Sequence, residues 1–135
     1  VSWWPDGGGG SKRKRKVISN VSVPASLHSY AEDCDSEGKK PDYTYNLGAS
    51  FSEAEIEKFW NVYKKNLVYR LFDANCACTV YRALRAGGLD ECINVSGVLA
   101  IGGPWEQLSL TITPGQVRDL CERVKRAGHS GLCNY

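Results

Sequence analysis

The stretch Phe72-Asp73-Ala74-Asn75-Cys76-Ala77-Cys78-Thr79-Val80 carries the most distinctive chemistry in this chain. It puts a thiol in the expected first turn of a helix, with Asp73 or Asn75 available as the cap. Backbone N–H groups at a helix start point at such a sulfur, and the helix dipole favours its thiolate. The same N–H groups can hold the oxyanion that forms when a thiolate attacks an acyl carbon. Cys76 is thus the candidate nucleophile, with Asn75 and Ala77 as positioning and oxyanion residues. Cys78 falls about 200° further round the helix and has no such setting. Residue chemistry alone leaves a second reading of Cys76 open, an inert thiol packed as a small apolar residue.

A thiol nucleophile needs a base, and the chain has two histidines, His28 and His129. His28 is the one that precedes Cys76. It sits among Pro24, Ser26 and Ser29, in a segment read as irregular, where an exposed or locally hydrogen-bonded ring is the plainer reading. His129 follows Gly128 at an expected helix end, where an imidazolium suits the dipole. No Gly-x-Ser-x-Gly elbow is present. Asp33, Asp35 and Glu37 alternate in what reads as a solvated acidic loop without a rigid frame. The six cysteines include no Cys-x-x-Cys pair, so a zinc site is not expected. Most read as small core residues, with disulfides open for Cys34, Cys92 and Cys133. Asn20-Val21-Ser22 and Asn94-Val95-Ser96 match the glycosylation sequon, a weak three-residue pattern.

The elements that must carry these groups are legible in part. Val1 to Trp4 reads as a short strand ended by Pro5, and Val17 to Val23 as an alternating strand before Pro24. Tyr43 to Leu47 reads as a further short strand. Ser52 and Glu55 form a capping pattern ahead of Ile56, Phe59, Trp60 and Tyr63, one face of a helix. Leu67 to Phe72 extends that helix or forms a strand. The next helix spans Cys76 to Ala86, stopped by Gly87-Gly88, with Cys76, Val80, Tyr81 and Leu84 facing inward. Val95 to Ile101 suits a buried strand. Thr113 and Pro114 open a last helix with a Val117, Leu120, Cys121 and Val124 stripe, closed by Gly128.

The chain's 135 residues allow one domain with a core of its own. Apolar residues at 42% and charged residues at 24% mark a globular composition. No apolar run reaches the 18 or so residues of a membrane span. The opening Val1-Ser2-Trp3-Trp4-Pro5 does not read as a signal peptide. The formal net charge is +2, but Lys12 to Lys16 form one basic block, and without it the charge would be −3. That argues against a broad nucleic-acid-binding face. With Gly7 to Gly10 ahead of it, residues 5–16 read as a flexible basic loop, or as a patch for nuclear import or an anionic surface.

Several of these pieces together resemble a known family. Asn75-Cys76-Ala77-Cys78-Thr79-Val80, continuing through Ala83-Leu84-Arg85-Ala86-Gly87-Gly88, is similar to the nucleophile helix of circularly permuted papain-like enzymes. These include the lecithin–retinol acyltransferase branch and bacterial effectors of type VI secretion and polymorphic toxins. Val1-Ser2-Trp3-Trp4-Pro5 resembles the strand after the family's histidine strand. Tyr30, Asp33, Glu37 and Pro41-Asp42 resemble the acidic segment that follows, and Phe59-Trp60 the helix before the nucleophile. The resemblance implies an α+β fold, a small antiparallel sheet packed on helices, as a single domain over 1–135. It implies a cysteine-dependent acyl hydrolase or acyltransferase that uses no metal or organic cofactor, an antibacterial effector delivered into a target cell without a cleavable signal peptide. The resemblance does not choose between phospholipid and peptidoglycan. Trp3, Trp4, Trp60 and Trp105 with the Lys12 to Lys16 block suit apolar chains and anionic headgroups. Phospholipid is therefore the favoured substrate and peptidoglycan the alternative, with peripheral membrane contact and a cognate immunity protein as partners. The family's histidine lies in a Gly-His strand ahead of the Ser-Trp-Trp-Pro strand, which the resemblance places upstream of Val1. Within this sequence the base would be His28. Without a base, the chain would be a non-catalytic partner-binding fragment.

Overall fold

In the computed structural model, residues 4–5, 22–47, 51–66, 68–70, 72–92 and 112–129 are described. Three short strands form one antiparallel sheet in the order β1 (Trp4–Pro5), β2 (Val23–Ser26), β3 (Val68–Tyr69). Prolines were expected to end the first two strands, yet both lie inside them. The register explains why. β1 pairs with Ala25 and Ser26, whereas β3 pairs with Val23 and Pro24. The contacts on the two edges of β2 are staggered, so Pro24 is not asked to bond on both sides. Of the expected strand over Val17 to Val23, residues 17–21 lie outside the described residues.

Helix α1 (Tyr30–Glu37) replaces the expected acidic loop. Its start is a reciprocal capping box: Glu32 N–H donates to Ser29 Oγ at 3.3 Å, and Ser29 N–H donates to Glu32 Oε2 at 2.7 Å. Gly38 ends it in the left-handed region at φ 71°, which glycine adopts without a Cβ clash. No residue of α1 is buried, so there was no apolar periodicity to betray it. Tyr43 to Leu47 is irregular and not the expected strand; Tyr45 and Leu47 instead lay their side chains on the core.

Helix α2 (Glu53–Tyr63) is capped by Ser52, as expected, and ends before β3, so Val68–Tyr69 is strand and not more helix. Its Ile56, Phe59, Trp60 and Tyr63 face is half-buried and splits between two clusters. Ile56 packs on the main core, while Trp60 and Tyr63 pack on Ala25 and Tyr69 of the sheet. Helix α3 (Cys76–Ala86) has the expected bounds. A short helix α4 (Leu89–Cys92) follows Gly88, whose φ of 105° turns the chain. Helix α5 (Pro114–His129) starts at the expected Pro114, with Gln116 N–H donating to Thr113 Oγ1. It runs through Gly128 rather than closing there.

The main core joins Phe51, Tyr81, Leu84, Leu89, Leu120, Cys121 and Val124, so α3, α4 and α5 share one apolar centre. Leu89, Leu120 and Val124 are its most enclosed side chains. The ends of α2 and α3 meet at Gly87, where Ser52 N–H donates to Gly87 O at 3.0 Å. The described part is α+β, a small antiparallel sheet beside helices, and no helix among the described residues is long and apolar enough to cross a membrane. The basic block Lys12 to Lys16, the expected strand Val95 to Ile101, Trp3, Trp105 and Cys133 lie outside the described residues.

Candidate functional site

The approach to α3 is a tight turn. Arg70 and Ala74 exchange backbone hydrogen bonds at 3.1 and 3.3 Å, and Arg70 Nε donates to Asp73 Oδ1 at 2.7 Å. Asn75 then caps the helix from an extended backbone, its Oδ1 accepting from Cys78 N–H at 2.8 Å. Its Nδ2 donates to Ile112 O at 3.2 Å, tying the start of α3 to the chain just before α5. Asn75 is buried, so both ends of the amide are held away from water. Because the side chain takes the third amide of the helix, the amides of Cys76 and Ala77 are left for other acceptors. Both act to lower the pKa of the Cys76 thiol, as donors near a sulfur do.

Cys76 is the first residue of α3, and here the structure corrects an expectation. It is exposed and does not belong to the inward face, which is built from Ala77, Cys78, Thr79, Tyr81, Ala83 and Leu84. Val80, also expected inward, is half-buried. The residue reaches solvent, but its sulfur lies against protein, and burial pushes the Cys76 thiol above the ordinary cysteine value. The amides of Ala77 and Cys76 pull the other way, while Cys78 and the Glu37 carboxylate add to the rise. Burial outweighs the helix start, so the thiol is protonated at neutral pH, contrary to the favoured thiolate read from the sequence. Neighbouring Tyr69 is pushed up to about 12, first by burial and then by Cys76 and Cys78. Cys78 itself is buried and donates weakly to Phe72 O at 3.7 Å, the setting of an inert core thiol. Cys34, read as open to a disulfide, sits on α1 and is a free thiol.

His28 lies just past the end of β2. Its Nε2 is 3.2 Å from Ser26 Oγ and its Nδ1 is 3.5 Å from Asp33 Oδ1. Asp33 and Glu37 are one turn apart on α1 and share a face. One of them meets the His28 ring and the other acts on Cys76. Helix α1 therefore addresses both groups, although no hydrogen bond joins Cys76 to His28 among the described residues. The structure brings Cys76, Asn75 and Ala77 together and sets the Asp33 carboxylate 3.5 Å from the His28 ring, without a hydrogen bond at Nδ1 among the described residues. Sequence reasoning missed Glu37 and Asp33 as framed residues; Ser29-x-x-Glu32 followed by Gly38 was the signal for their helix. His129 ends α5, as expected.

Two clefts flank this region. One, of about 320 Å³, lies along α1 beside Tyr30, Asp33, Cys34 and Glu37. The other, of about 450 Å³, lies between the end of α2 and the turn leading to Cys76. Among the described residues, no three His, Cys, Asp or Glu side chains are grouped to hold a metal ion. No known family, curated protein or solved structure matches this chain.

Proposed function

We propose that this chain is a cysteine-dependent acyl hydrolase or acyltransferase of permuted papain-like type, an antibacterial effector domain that acts on phospholipids. The observation that carries the reading is Cys76 at the first position of α3, exposed and served by its own amide and that of Ala77, while Cys78 two residues on is buried. A thiol held protonated at rest requires a base when substrate arrives. His28 is the base among this chain's described groups, with the Asp33 carboxylate 3.5 Å from its Nδ1, placed to stabilise the ring once it takes up a proton.

The steps follow from these groups. The Cys76 S–H proton passes to the imidazole as sulfur attacks the ester carbon and a C–S bond forms. The amides of Cys76 and Ala77 stabilise the oxyanion. Collapse breaks the C–O bond, and the imidazolium returns its proton to the departing lysophospholipid alkoxide. Water, or an acceptor alcohol, gives its proton to the same imidazole as it attacks the thioester. The C–S bond breaks, the imidazolium returns the proton to Cys76 Sγ, and the acyl group leaves as fatty acid or as a new ester.

The test incubates the protein with anionic phospholipid vesicles and, separately, with purified peptidoglycan. Fatty acid release that falls by about a thousandfold or more in Cys76→Ala supports the reading. Peptide release from peptidoglycan with lipids untouched moves the substrate to the cell wall and leaves the nucleophile standing. His28→Ala should lose activity as deeply as Cys76→Ala; full activity would remove His28 as the base.

A further inference from the structure

The turn that delivers Cys76 also walls the cleft of about 450 Å³, and the lining of that cleft is chemically specific. Two arginines, Arg70 and Arg82, line it with Tyr63 and the apolar Val62 and Val68, and no carboxylate is among its lining residues. The volume lies within the range of small-molecule sites. Asp73 pairs with Arg70 from outside the lining and offsets one charge, so the cleft keeps about one net positive charge.

Arg82 is held in place before any ligand arrives. Its guanidinium carbon lies 5.9 Å from the Tyr63 ring centroid, and its Nη1 donates to the Tyr63 hydroxyl at 3.4 Å. Tyr63 O–H is 3.2 Å from Thr79 Oγ1, which is 3.0 Å from Asn75 O. One assignment of protons satisfies all three contacts. Arg82 donates to Tyr63, Tyr63 donates to Thr79, and Thr79 donates to the carbonyl of the Cys76 helix cap. Thr79 is fully buried, so the anchor does not swing with solvent. Among the described residues, Arg82 has no carboxylate partner. A held guanidinium presents its remaining N–H groups as a fork that matches phosphate oxygens, at a reduced ordering cost. Val62, 67% exposed, sits at the same cleft as an apolar surface beside the cation. A single negative charge next to hydrocarbon describes an anionic amphiphile.

We infer that this cleft binds the phosphodiester group of an anionic phospholipid, with Arg82 as the principal contact, Arg70 as the second, and Val62 and Val68 against the start of an acyl chain. The choice of lipid rests on the phospholipid reading of the Cys76 site. Ala74 lines the cleft two residues before Cys76, so the headgroup would be held at the turn that presents the nucleophile.

The experiment is a titration of the full chain, carrying Cys76→Ala so that nothing is turned over, followed by amide and side-chain NMR. The probes are dihexanoyl phosphatidylglycerol below its micelle concentration, the same headgroup diester without acyl chains, and inorganic phosphate. Saturable shifts at Arg82, Tyr63 and Val62 are expected, tightest for the lipid. Adding Arg82→Gln should weaken lipid binding by about ten- to a hundredfold. Arg82→Lys should recover part of it, and Arg118→Gln on α5 should leave it unchanged. Thermal midpoints verify that each variant is folded. Absence of saturation, or equal binding by the Arg82→Gln protein, overturns the site. Inorganic phosphate binding as tightly as the lipid overturns the lipid assignment. Binding without fatty acid release by the parent protein keeps the cleft and removes the phospholipid-hydrolase reading. Release that survives Arg82→Gln unchanged, with lipid binding also unchanged, does the reverse.

Discussion

Replacing Asn75 by alanine separates the two jobs its amide performs. Its Oδ1 caps α3 through Cys78 N–H, and its Nδ2 satisfies Ile112 O across 37 residues of sequence. Losing the cap costs about 1 kcal/mol. Orphaning the half-buried Ile112 carbonyl costs about 1 kcal/mol more, the low end for a buried acceptor because water can partly reach it. Asn75→Ala should therefore lose about 2 kcal/mol, equivalent to a fall of about 7 °C in Tm for a chain this size. Asn75→Ser keeps a capping oxygen but is too short to reach Ile112, so it should lose about 1 kcal/mol. Urea denaturation with an unchanged m-value reads both losses. Serine and alanine variants of equal stability would show that the cap contributes nothing. Both lying within about 0.5 kcal/mol of the parent would refute the reasoning for cap and tether together.

Two further outcomes follow from packing and titration. A Cβ at Gly87 would sit 2.7 Å from Ile56 Cγ1 and 3.2 Å from a Phe51 ring carbon, so Gly87→Ala should destabilise by about 1–3 kcal/mol. Pairing it with Ile56→Val should recover part of the loss in a double-mutant cycle, and simple additivity would contradict the contact. Tyr69, with an ordinary value of 10.0, is pushed up to about 12 in the fold, so the unfolded chain ionises first. Its contribution is intact below pH 10 and lost as pH rises towards 12, by about 2–3 kcal/mol. Tyr69→Phe should flatten that alkaline decline in a denaturation series, and an unchanged decline would assign it elsewhere.

What was legible in the sequence tracks how each element is made. Helices α2, α3 and α5 announce themselves because each pairs a capping residue with apolar positions three and four apart, and Ser52, Asn75 and Thr113 all serve as read. Helix α1 was invisible to periodicity because it buries nothing and stands on its caps alone. The strands were misjudged at their prolines because the staggered pairing of β2 is a tertiary fact that no local window contains. The Cys76 position was readable from Asn75 and the helix start. The sign of its titration was not, since the amides that lower it are local while the burial that raises it comes from the packed fold. The approach of Glu37 to Cys76 and of Asp33 to His28 likewise depends on where α1 packs.

The central claim is that Cys76 attacks an acyl carbon. The direct measurement is peptide-resolved mass spectrometry of the protein after brief exposure to anionic phospholipid vesicles, quenched in acid. The account predicts a fatty-acyl adduct on the peptide carrying Cys76, removed by hydroxylamine as a thioester and absent from the Cys76→Ala protein, with Cys78 unmodified. An acyl group on a different residue, or fatty acid release that proceeds undiminished in Cys76→Ala, would contradict it.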